Sequence, residues 1–473
     1  MPMHGLVHPQ ALPSLPRKKE TLVPATFDWA KVIDYSKRVP VDPPLTQYEL
    51  PGITEELHQD VPVAVVPLWH TVVTARLAFA TDDHASLRNA RHRLTRALTE
   101  VENVYPLQPS GIFIQIAYGA RYFRTRLPAS LTDEYMPKST MPGSEGEWAL
   151  ADAVRFPMDP QDLVLEDNEI CFHFKSDYRD HIENAIGALF QPGTSVLNGI
   201  PAENVYVGDL LTVTSIRRGF AGRSLPKLIG EQLRIPGAEK IPAGAMLFMG
   251  FTSSHVHGLA AGNLPSFETL PGYTDQTPDS YFAHGTAMHL SHIALDLERW
   301  YQFTARERLQ RTFHARRSEP DEVLSPDQSP ESSTFKAERD QHVRDYKLVG
   351  HNEQMQFLSR VEVDTTTTYG QKLVKGTVFF LRQDFNTVEN PFGFSTAGPV
   401  LAAPRPGVHF VGCGPSAQHF ENMRREMDSQ DLKARYHLAD EDLGFTQMLT
   451  TTHRQNYLLP PRAHRSFPLV ELL

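Results

Sequence analysis

The sequence predicts an α+β fold of two ferredoxin-like lobes, each an antiparallel sheet with helices on its outer face. The first half alternates strand, helix, strand, then strand, helix, strand, the order of a ferredoxin-like unit. The second half repeats that order more loosely. Two similar lobes facing each other enclose a cleft.

In the first half, residues 71–80 read as a strand, with Val73, Ala75, Leu77 and Phe79 on one face at period two. Residues 87–98 then place Leu87, Ala90, Leu94 and Leu98 on one helical face. Residues 111–117 form a second strand and residues 169–175 alternate as a third. A helix follows over 178–190 through Ile182, Ala185, Ile186 and Leu189, and residues 209–216 close the half as a strand. In the second half, residues 289–296 read as a strand. Residues 297–313 follow as one helix, with Asp296 and Glu298 suited to its positive N-terminus. Residues 377–382 and 407–413 are later strand candidates, and 416–429 form a helix with Phe420, Met423 and Met427 along one stripe.

These elements divide the chain into a proline-rich arm over residues 1–60, a first lobe over 61–240 and a second over 241–473. The Ser-, Pro-, Asp- and Glu-rich stretch 317–334 reads as a surface insertion.

Composition narrows the function. At 473 residues, 40% hydrophobic and 22% charged, the chain can bury a large core. A formal charge of −10, with no basic run interleaved with aromatics, argues against nucleic acid as a partner and for a small molecule. The two cysteines, Cys171 and Cys413, are far apart, so neither a disulfide framework nor a local thiolate metal site can be built. Arg17, Lys18 and Lys19 precede no apolar segment, so neither a signal peptide nor a membrane span is expected. A cytoplasmic location is the expectation.

Several segments, in order over roughly residues 60–430, resemble the dye-decolourising (DyP-type) peroxidase family. Tyr118-Gly119-Ala120-Arg121-Tyr122-Phe123 resembles that family's glycine-containing strand end. Ala283-His284-Gly285-Thr286-Ala287-Met288, with Leu295-Asp296-Leu297-Glu298-Arg299-Trp300, resembles its Gly-(Ser/Thr)-Tyr and Asp-x-Glu-x-Trp segment. Gly407-Val408-His409-Phe410 with Phe420-Glu421-Asn422-Met423 resembles its closing strand and helix. The sharpest match is His342-Val343-Arg344 followed eighteen residues later by Arg360, similar to the family's proximal histidine and distal arginine.

The resemblance implies a dimeric α+β barrel with a haem cleft, haem b as cofactor and His342 as axial iron ligand. A neutral imidazole is a good iron ligand. A fixed guanidinium such as Arg360 can hold a propionate or stabilise negative charge on a bound oxidant. Phe251 and Arg344 are expected beside the cofactor. Peroxide with an organic electron donor would be the substrates, and members of the wider superfamily often assemble as homo-oligomers.

The departures from the family pattern carry information too. The family's distal signature is Gly-Phe-x-Asp-Gly; the aligned stretch here is Gly250-Phe251-Thr252-Ser253-Ser254-His255, with serine in place of the acid. A serine hydroxyl has no useful acid or base strength near neutrality, so proton transfer falls to Arg360, to water, or to His255 or His257. The carboxylate that orients the family's axial histidine is also absent from its expected place, where Ser416 stands.

These departures keep alternatives open. A distal Ser253, His255 and Arg360 also suits a haem enzyme of other chemistry, such as an aldoxime dehydratase or a specialised reaction that breaks an N–O or N–N bond. A non-catalytic haem-binding protein is a third reading. A non-haem metal could instead be held by His255 and His257 or by His289 and His292, but residues three apart in a strand face opposite ways. No His-Glu-x-x-His helix, phosphate loop or nucleophile elbow is present.

Overall fold

Strict alternation builds the first lobe. In Trp69–Leu77 (β1), Val73, Ala75 and Leu77 join a large core beneath the helices, while Val72 faces a second, inner core. Phe113–Gly119 (β2) and Ile170–Ser176 (β3) behave alike: Ile114, Ile116, Phe172 and Phe174 pack outward, Ala117 and Cys171 inward. Leu211–Phe220 (β4) completes the sheet. Between the strands lie His84–Val104 (α1) and Arg179–Phe190 (α2). Helix α1 is capped by the Asp83 carboxylate, which accepts from the Ser86 N–H, and buries Leu87, Ala90, Leu94 and Leu98, the predicted face.

The computed structural model describes residues 43–58, 61–193, 196–202, 204–251, 264–317, 336–389, 394–395, 398–399 and 404–473.

The second lobe is built from Thr286–Leu295 (β5), Phe385–Thr387 (β6), Gly407–Gly414 (β7) and Leu449–Leu459 (β8). Its helices include Ala305–Thr312 (α3), Lys336–Tyr346 (α4), His351–Ser359 (α5) and Ala417–Met427 (α6). Both lobes have the ferredoxin-like strand order. In the first, β4 pairs β1, β1 pairs β3 and β3 pairs β2; in the second, β8 pairs β5, β5 pairs β7 and β7 pairs β6, all antiparallel. Two short seams join them, Tyr457 opposite Gly119 and Asn386 opposite Phe220. The ring is thereby closed into an eight-stranded barrel that leaves no open edge among these strands.

Three differences from expectation have physical causes. The helix expected over 297–313 is two helices: Asp296 caps Leu297–Trp300, and Thr304 starts α3 with a capping box to Glu307. The strand expected over 377–382 is reduced to Leu381–Arg382, which pairs with β7, and the lobe's ferredoxin-like position is taken by β6. Strand β8 was not anticipated. Its Thr450-Thr451-Thr452-His453-Arg454-Gln455-Asn456 run lacks an apolar face, because both of its sides meet polar neighbours.

The barrel interior is unusually polar. Fully buried His70, His173, Lys175, Arg217 and His409 line it beside Val72, Cys171 and Cys413. His70 Nδ1 lies 3.0 Å from His173 Nε2, and His70 Nε2 lies 3.0 Å from the Pro67 carbonyl. Because a carbonyl only accepts, His70 carries its hydrogen on Nε2 and His173 Nε2 donates to it. Both cysteines are free, and burial pushes each thiol up to about 12. Among the described residues no helix is long and apolar enough to cross a membrane.

Candidate functional site

Outside the barrel, the ends of three segments converge on His342. Helix α4 carries it on the buried side with Arg339 and Val343, and Val343 anchors the helix in a small core with Val349, Leu432, Leu438 and Leu443. The helix stops at Lys347, whose left-handed backbone (φ 55°) turns the chain toward Gly350. Gly350 caps α5 and packs where no side chain fits: a Cβ there would lie 2.1 Å from the Phe313 carbonyl oxygen and 2.8 Å from His314 Cα. This crossing brings the chain just after α3 against the first turn of α5.

Within that crossing, His342 Nδ1 lies 2.5 Å from Glu353 Oε1, and the other Glu353 oxygen accepts from the Gly350 N–H at 3.2 Å. Glu353 is 1% exposed, His314 3% and His342 5%. Burial raises the Glu353 carboxyl above its ordinary range, opposed by the His342 hydrogen bond. At the other edge of the imidazole, Arg316 Nη1 stands 3.4 Å from Nε2. A guanidinium only donates, so Nε2 carries the lone pair and Nδ1–H donates to Glu353. The His314 ring lies over that of His342 at 5.4 Å between centroids, tilted by 23°. One donor atom from each of His314, His342 and Glu353 lies within 4.8 Å of the other two.

The remaining expected site residues have different settings. Arg360 follows α5 and is largely buried. Its Nη1 donates to the Gly376 carbonyl at 2.7 Å, its Nε to the Gln356 side chain, and burial brings its guanidinium down to about 10. Phe251 packs edge-on against Phe313, the residue before His314, at 5.3 Å. Arg344 is exposed on α4, two residues from His342 and so on another side of the helix. Ser253, His255 and His257 lie outside the described residues. Ser416 has a structural task instead of a place beside His342: it accepts from the His419 N–H to cap α6 and donates to Met141 Sδ. The carboxylate on His342 comes from Glu353, 11 residues after it in the chain and well before Ser416.

His289 and His292 do point apart. His289 stacks on Phe420 of α6 at 3.6 Å, whereas His292 faces His409 at 4.9 Å. Sequence reasoning missed His314 and Glu353. Glu353 had one legible signal, its place three residues after Gly350 as a helix-capping acid; His314 had none.

The closed barrel of two ferredoxin-like lobes defines a class, the fold of DyP-type proteins. The chain matches DypB from Rhodococcus jostii RHA1 with a TM-score of 0.50 at 14% identity, covering 85% of this chain and 96% of that one. A manganese complex of a DypB variant gives a TM-score of 0.50 at 14% identity over 84% and 95% of the chains. An encapsulated DyP-type peroxidase from Mycobacterium smegmatis gives 0.47 at 13% identity over 85% and 95%. By sequence, residues 67–461 match the model of a family of unknown function, DUF7405, and the chain belongs to that family. A comparison with curated proteins finds no match.

Proposed function

We propose that this chain is a haem-binding oxidoreductase related to the DyP-type peroxidases, in which His342 would hold the iron. The observation that carries the reading is the buried Nδ1–H bond from His342 to Glu353, which fixes the tautomer and leaves the Nε2 lone pair for a metal. The residues fit the group. A single buried imidazole backed by a carboxylate is a donor set that would hold a haem iron, and the exposed Arg316 side chain stands 3.4 Å from Nε2. The DyP fold and the spacing of His342 and Arg360 support the same reading.

Bound haem, of the b type, would supply an iron centre able to change oxidation state. The chain's own residues do the rest. Glu353 holds the Nδ1 proton and keeps the ring from rotating, and its negative charge makes the imidazole a stronger donor. Gly350 fixes Glu353 by placing it in the first turn of α5, where the Gly350 N–H holds its second oxygen. Arg360 brings a group that is positively charged near neutrality, suited to a propionate or to charge developing on peroxide. By the sequence resemblance alone, Ser253 and His255 are the candidate proton carriers, with an organic donor as reductant.

Reconstitution tests the reading. Hemin added to the purified chain is expected to give a Soret band with one haem per chain, and His342→Ala to lose it or shift it to a weakly ligated form. Equal haem uptake with an unchanged spectrum in the variant rejects His342 as ligand. Oxidation of a dye by peroxide should then follow in the wild type and fall in Arg360→Ala.

A further inference from the structure

Haem ligation uses His342 and Glu353 but gives no role to His314, the third member of the cluster. We propose that His314, His342 and Glu353 form a site for one divalent transition-metal cation, such as zinc or iron(II), bound directly by two imidazoles and a carboxylate. The three donors come from separate segments, the chain after α3, helix α4 and helix α5, and all are more than nine-tenths buried. Donors sharing such a cation sit ~2.0–2.2 Å from it, hence about 3–4 Å from one another. The three donors already lie within 4.8 Å of one another, close to that spacing.

The donor chemistry selects the ion. Two nitrogens and one carboxylate oxygen suit zinc, iron(II) or cobalt(II) better than calcium or magnesium, which prefer oxygen throughout, and no thiolate is present to favour copper(I). Three protein ligands leave at least one position for water or substrate, the arrangement of catalytic rather than structural sites.

The site is also built to be rigid. Glu353 is tethered by the Gly350 N–H, and the close crossing at Gly350 holds His314 beside α5. Occupation has a definite consequence for His342. The cation takes the place of the proton between Nδ1 and Glu353, and that proton moves to Nε2, the edge bordered by Arg316. No electrons transfer and no bond other than N–H is broken. A cation at Nδ1 and haem iron at Nε2 require opposite tautomers of one ring, so the two occupants compete. The Arg316 charge opposes the cation, and its removal should tighten binding.

The test is a titration of the chelator-stripped full-length chain with cobalt(II) chloride, followed by the visible ligand-field absorption. One equivalent is expected to bind. His314→Phe, which keeps a flat ring against His342, should weaken binding at least about 100-fold, as should Glu353→Gln, while Arg316→Ala should strengthen it. Circular dichroism and the melting temperature show whether each variant is folded. Should the His314 variant unfold, prior saturation of wild type with hemin provides the second measurement: it must block cobalt uptake. Absence of cobalt binding by the wild type overturns the proposal, as does a folded His314→Phe chain that binds like wild type. Hemin uptake by His314→Phe should be unchanged, so loss of the cation site and loss of the haem reading give separate results.

Discussion

Lys175 Nζ donates to Gln383 Oε1 at 2.5 Å, joining a strand of the first lobe to the second lobe through the barrel interior. The same ammonium donates to Gln115 Oε1 at 2.7 Å, while Gln383 reaches back to the Tyr48 carbonyl. A fully buried cation is therefore held by neutral amides, with no carboxylate among these partners.

That arrangement makes stability rise with pH. Burial pulls the Lys175 amine down from its ordinary value of 10.5 to about 7. Between those values the unfolded chain holds the proton and the folded chain has released it, so unfolding takes up a proton and becomes less favourable as pH rises. Below pH 7 both states are protonated and this contribution is flat. Urea titrations from pH 7 to 10 should show a rising component of up to about 1.4 kcal/mol per pH unit, absent in Lys175→Met. Identical slopes in the two proteins would show that Lys175 keeps an ordinary affinity for its proton.

Glu169 is a second buried anchor. It receives Arg126 Nε at 2.5 Å and Nη2 at 2.9 Å, and also accepts from the Leu77 N–H at 2.7 Å. The remaining Arg126 hydrogens go to the carbonyls of Leu77, Phe79 and Ala80. Glu169→Gln should leave the guanidinium buried without its counter-charge and cost roughly 3–5 kcal/mol. Replacing both partners with methionine should cost less than the single change. Chemical denaturation of the two variants checks the order.

The seam between the lobes allows no side chain at Gly219. A Cβ there would lie 2.1 Å from the Asn386 carbonyl oxygen and 2.5 Å from the Phe385 ring. Asn386 meanwhile ties β4 to the 246–248 turn, donating to the Phe220 and Met246 carbonyls and accepting from the Phe248 N–H. Gly219→Ala should open this short seam and destabilise the chain by roughly 1–3 kcal/mol. Faster hydrogen exchange at residues 385–387 and 217–220 than in the distant β1–β3 ladder would confirm the cause, and uniform exchange would refute it.

Local periodicity was enough to read the first lobe, because each of its strands and helices buries one apolar face. Leu87, Ala90, Leu94 and Leu98 on α1, and Ile182, Ala185, Ile186 and Leu189 on α2, are buried as expected. The second lobe was less legible. The 450–456 run of strand β8 is polar throughout, with His453 paired opposite His292 and Thr452 hydrogen-bonded to it, and β6 has only three residues, so neither has a pattern long enough to detect.

By itself the sequence determined the α+β class and the repeated strand order, since these rest on local alternation; a motif singled out His342 for the proposed role. Only the tertiary structure decided how the two sheets close into the barrel that the resemblance implied, because the seams at Tyr457 with Gly119 and Asn386 with Phe220 join residues 338 and 166 positions apart. It likewise decided which groups surround His342. Glu353 was legible only as a cap for α5, and His314 as a residue after a helix. Their convergence depends on Gly350 allowing two backbones to cross at a distance that no other residue permits.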